Sequence, residues 1–105
     1  MLVAVINTDG TVEEREIDGS LYSMQHIVEG LIQPVDIQDD ITLWVNEEGL
    51  YREDYNPLAS GIANTHINGP AFLTGGIDEE GNTLGLNPAY IPGVKNYAEI
   101  MAVMG

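Results

Sequence analysis

Short apolar runs separated by strong turn residues constrain this chain more than any other feature. "LVAVI" at 2–6 is rich in β-branched residues, and "NTDGT" places an Asp9-Gly10 turn signal directly behind it. "TVEEREI" returns with Val12 and Ile17 on its less polar positions, which predicts an opening hairpin. "LIQPVDI" and "ITLWV" flank "QDD" and predict a second hairpin. Pro34 lacks an N–H and is tolerated only on an edge or at a bulge, so the first strand of that hairpin is expected to be outermost.

Helical spacing separates these hairpins. Leu21, Met24, Val28 and Leu31 recur near a helical period, Ser20 is suited to cap the start, and Gly30 is placed to end the helix in a left-handed conformation. Asn46 and Gly49 predict a turn with Glu47 and Glu48 at its tip. Asn56-Pro57 reads as a helix start, with "PLASGIAN" as the helix. "GPAFLTGG" reads as a strand, "DEEGNT" as a loop and "LGL" as a last short strand. "NPAYIPGV" predicts irregular surface chain. Tyr97, Ile100, Met101 and Met104 then mark a helix at about 96–104, too short to stand alone in water. It is expected to dock on this domain's sheet or on a second copy, making a homodimer. The order predicts one α+β domain over 1–105, with a mainly antiparallel sheet of hairpins and helices packed on one face.

The 105 residues suffice for one core, and at 44% hydrophobic the chain has enough apolar surface to fold. The charge is lopsided. Seventeen acids against three Lys and Arg give a formal net charge of -14. Such a chain repels nucleic acid and anionic membranes and attracts cations and basic protein surfaces. Solubility alone is the plainer account of the same charge. With no cysteine, disulfides and thiolate metal sites are excluded, which fits a reducing compartment. "MLVAVI" lacks the basic residues of a signal peptide and no apolar run reaches about 18 residues, so a cytoplasmic location is expected.

"LYSMQHIVEGLIQPVDIQDDITLWVNEEG", then "NPLA", then "GPAFLTGGIDEEGNTLGL" resembles a family of small uncharacterised proteins, catalogued as a domain of unknown function. Its members are known mainly from bacteriophages, plasmids and integrative elements. The matching positions are Gln25, Val28, Glu29-Gly30, Asn46 to Gly49, Asn56, Ala59 and Gly69 to Gly76, within about 20–86. Glu29 departs from the more usual glycine. The resemblance implies a mobile-element origin, with host-cell cytoplasm as the setting if phage-encoded, and carries no activity.

Catalytic and metal-binding patterns are poorly represented. His26 and His66 have no zinc-site spacing, and neither "DIQDD" nor "DEEGNT" has the ligand pattern of a calcium loop. The serines lack a nucleophile elbow, and Gly69, Gly75 and Gly76 lack the lysine of a phosphate loop. No catalytic residue, metal or cofactor is therefore expected. "VNEEGLYREDYNPLA" is the best candidate site: Glu47, Glu48, Glu53 and Asp54 beside Tyr51 and Tyr55. It reads as a contact surface for a basic host or defence protein, with mimicry of DNA as one form. The alternative is a small ligand- or metal-binding module built from His66 and the glycine-rich 69–76 region. The plain reading of the two tyrosines is that they cover a sheet edge.

Overall fold

The computed structural model describes residues 1–51 and 54–104. Its sheet has five strands: β1 (Leu2–Ile6), β2 (Val12–Glu16), β3 (Ile32–Gln38), β4 (Ile41–Asn46) and β5 (Ala71–Thr74). Their spatial order is β2-β1-β5-β4-β3, and every neighbouring pair is antiparallel. Both expected hairpins form. The first turns through Gly10, whose φ of 88° needs a residue without a Cβ. The second turns at Asp39 and Asp40, with a bulge between Asp36 and Gln38. Pro34 lies on the outer strand β3, as its missing N–H requires.

Three helices complete the α+β domain: α1 (Leu21–Val28), α2 (Pro57–Ala63) and α3 (Ile91–Met104). The Ser20 hydroxyl accepts from the Ser23 N–H at the start of α1. Asp18 accepts from the Ser20 N–H and the Ser23 hydroxyl, which hold its carboxyl down to about 2. The left-handed residue ending α1 is Glu29, at φ 63°, and not Gly30. Gly30 meets a different demand: a Cβ there would stand 2.6 Å from Asn46 Nδ2.

The helices cover both faces of the sheet, which corrects the expectation of one. On one face Met24, Ile27 and Val28 of α1 pack with Val3, Val5 and Phe72. On the other, Leu58 and Ala59 of α2 and Ile91 of α3 pack with Ala4, Ile6, Leu43 and Leu73. Adjacent strand residues point to opposite faces, so β1 and β5 have to be apolar at successive positions. All four residues of β5 are buried.

The C-terminal region departs further. Pro88–Tyr90 forms a 3-10 turn and α3 starts at Ile91, running through the Pro92 and Gly93 expected to be irregular. A proline in the first turn removes no intrahelical bond, because those N–H groups have no helical acceptor. Tyr97 and Met101 dock on this chain's own core as expected. Ile100 and Met104 do not, and Met104 is 82% exposed. "LGL" forms no strand; the Leu86 N–H bonds Leu2 O and the Gly75 N–H bonds Leu84 O.

Candidate functional site

Two tethered loops build one concave site at the end of the sheet where β4 finishes. The first loop is the Asn46–Gly49 turn. Asn46 Nδ2 donates to Val28 O at 3.0 Å, and its Oδ1 accepts from the Glu48 N–H at 2.8 Å. The Glu47 N–H reaches Leu31 O at 2.8 Å. The second loop, 64–70, joins α2 to β5 and is held as firmly. The Ser60 hydroxyl accepts from the Ile67 N–H at 2.8 Å, and the Asn56 N–H donates to Ile67 O at 2.9 Å. Between the loops lies a groove of about 280 Å³, open to solvent, in which Val35, Val45 and Ile67 are the apolar wall and Gln33, Glu47 and His66 polar members.

The six residues singled out above fall unevenly around this groove. Glu47 lines it, and Glu48 is exposed beside it on the same turn. Tyr51 stands 87% exposed in a 3-10 turn, Gly49–Tyr51. Tyr55, about half exposed, lies against His66 with ring centroids 4.8 Å apart. Asp54 is partly buried, and its main-chain carbonyl accepts from the Gly69 N–H at 2.7 Å. Glu53 lies outside the described residues. Tyr55 reaches the neighbourhood of the edge strand β3 through His66, which lines the groove with Gln33 and Val35.

His66, which the sequence placed in a separate pocket with the glycines, joins Glu47 and Tyr55 instead. The glycines 69–76 do not form one site. Gly69 is at the groove end of β5, and Gly75 and Gly76 are at the other end, about 20 Å away at strand rise. Gly75 and Gly76 are needed for close approach: a side chain would strike the main chain of Gly85 and of Asp39 respectively. Sequence reading missed Gln33, Val35 and Val45 as site members. The edge position announced by Pro34 was the available signal, because an edge strand leaves its neighbours open to solvent.

The acidic groups separate in the same way. Thr42 pairs with Thr74 and with Asp36, so Asp36, Asp39 and Asp40 leave from the end opposite Glu47. Asp78, Glu79 and Glu80 follow the Gly75-Gly76 end too. The groups therefore do not share one rim. Ion pairs between described residues all end on β2: the N-terminal ammonium with Glu16, Arg15 with Glu13, and Lys95 with Glu14. Among the described residues no three His, Asp or Glu side chains converge as a metal would require, and no helix is long and apolar enough to cross a membrane.

Fold and site together define an acidic α+β domain with a small tethered groove. The chain belongs to the family described as a domain of unknown function, DUF3846, whose model matches residues 1–100. The match takes in the opening hairpin and most of α3. No curated protein and no solved structure matches the chain.

Proposed function

We propose that this protein is a non-catalytic binding protein that engages a basic surface of another protein with the acidic groove end of its sheet. The observation that carries the reading is the placement of positive charge. Arg15, Lys95 and the N-terminal ammonium are engaged with the glutamates of β2, Arg52 lies outside the described residues, and Glu47 and Glu48 make no ion pair with a described residue. An acidic turn without an ion pair to any described residue, beside the exposed rings of Tyr51 and Tyr55, supplies steering from a distance and aromatic contact at close range. The turn is held by its own hydrogen bonds, so little ordering cost falls on association.

The charge density supports mimicry of nucleic acid as the concrete form. The molecule measures 40 × 31 × 21 Å. A net charge of -14 spread along the longest of these is one charge per about 3 Å, against about 1.7 Å in duplex DNA. The partner would then be a nucleic-acid-binding host or defence enzyme, and the chain a product of a phage or other mobile element acting in the host cytoplasm.

The test compares two charge-matched double variants against a partner captured from host cells. Glu47→Gln with Glu48→Gln removes two charges at the groove end, and Asp36→Asn with Asp39→Asn removes two at the other. The first pair is expected to slow association about tenfold at low salt, the second far less, and the difference should shrink as salt screens beyond about 10 Å. Tyr55→Ala should mainly speed dissociation. Salt-independent binding that tolerates the Glu47 and Glu48 pair would leave the charge to solubility alone.

A further inference from the structure

The groove beside Glu47 is at the small end for a drug-sized ligand and has room for one side chain. Its volume of about 280 Å³ lies below the roughly 300–1,000 Å³ of sites that take drug-sized molecules. Val35, Val45 and Ile67 offer apolar contact, Glu47 a carboxylate, Gln33 an amide and His66 a flat ring. Among the described residues the side chains of Gln33, Glu47 and His66 accept and donate no hydrogen bond, so their polar atoms face only solvent.

We infer that this groove seats one arginine side chain of a protein partner. The inference deepens the proposed function and depends on it for the partner. A negative field excludes anions, and the Glu47 carboxylate in the groove favours an occupant with positive charge. Its charged end meets Glu47 while its stem lies against Val35 and the small exposed parts of Val45 and Ile67, which suits an alkyl chain ending in a cation. Arginine fits better than lysine. The guanidinium is planar, pairs with a carboxylate through two parallel N–H bonds, stacks on flat rings such as that of His66, and is more weakly hydrated than an ammonium. The rigid loops on both sides mean that the seat exists before the arginine arrives.

The experiment needs no partner and so can fail separately from the proposed function. N-acetyl-arginine methylamide is titrated into the ¹⁵N-labelled full chain, with backbone amide shifts as the readout. The capped lysine and putrescine are titrated in parallel. Saturable shifts confined to the amides around Gln33, Glu47 and His66 are expected, with a dissociation constant of about 1 mM, as befits a single side chain. Capped lysine should bind several-fold more weakly. Glu47→Gln should weaken capped arginine about tenfold, equivalent to the loss of one charge-assisted contact, whereas Asp36→Asn with Asp39→Asn stays within about twofold. Glu47 is exposed and its side chain bonds no described residue, so the variant keeps the fold. Shifts that never saturate, or equal weakening by both sets of variants, would reduce the effect to diffuse charge and overturn the arginine seat. Putrescine binding as well as capped arginine would overturn it in favour of a free diamine. A partner that depends on Glu47 and Glu48 while capped arginine fails to bind would leave the proposed function standing without this seat.

Discussion

Asn56 connects three parts of the fold through one fully buried side chain. Its Oδ1 accepts from the Ala59 N–H at 3.0 Å, and its Nδ2 donates to Ile6 O at 3.0 Å and Gly69 O at 2.9 Å. Asn56→Ala removes a helix cap, at about 1 kcal/mol, and leaves two buried carbonyls short of a donor. A stability loss of about 3 kcal/mol in urea unfolding is expected. Asn56→Asp keeps the cap oxygen but turns an acceptor toward two carbonyls, and should cost at least as much. A loss below about 1 kcal/mol for the alanine variant would show that the two long-range bonds contribute nothing. Half of this role was legible in the sequence. Asn-Pro before an apolar run announces a cap because the pattern is local, whereas the bond to Ile6 spans 50 positions and no local pattern encodes it. Glu29 shows the same limit: Gly30 carried the usual signal for a helix end, yet Glu29 takes the left-handed turn and Gly30 leaves room for Asn46, a contact 16 positions away in the chain.

At the scale of elements, the strand signals carried furthest. Both hairpins formed where Asp9-Gly10 and "QDD" placed their turns, and Pro34 marked the outer strand. The last helix is longer than its apolar spacing predicts, since Pro92 and Gly93 weigh against a helix interior but not against its first turn. Its docking face is also narrower than its apolar pattern. Val94, Tyr97, Ala98 and Met101 pack on the core, whereas Val103 and Met104 are 88% and 82% exposed. Met101→Ala should therefore lower stability by about 1–2 kcal/mol, less than a full core truncation because the residue is only partly buried. Met104→Ala should stay within about 0.5 kcal/mol. Thermal unfolding of the two variants checks the pair, and equal losses would mean that α3 packs through its whole apolar face. Removal of residues 95–105 should destabilise the domain by more than either change.

For the molecule as a whole, charge and layering set the behaviour. Like charges crowd together on folding, and three Lys and Arg cannot offset seventeen acids. Added sodium chloride, from about 10 mM to 300 mM, should raise the melting temperature by several degrees as the screening length falls from about 30 Å to under 10 Å. An unchanged or falling melting temperature would mean that ion pairs on β2 outweigh the repulsion. The two-faced layering left a trace in the sequence that the hairpin reading passed over. "LVAVI" and "AFLT" do not alternate, and a strand apolar at successive positions has both faces covered. The groove left no such trace, because it joins loops from separate regions of the chain whose meeting depends on β5. That strand lies between β1 and β4, though it follows both in the chain. In chain order both hairpins precede the strand that joins them, so β1 and β4 have no partner on their inner edges until β5 has been made. Until then the nascent chain displays two apolar strand borders, open to each other's neighbours and to other chains. Any order of assembly therefore leaves the closure of the sheet to β5, the strand made last.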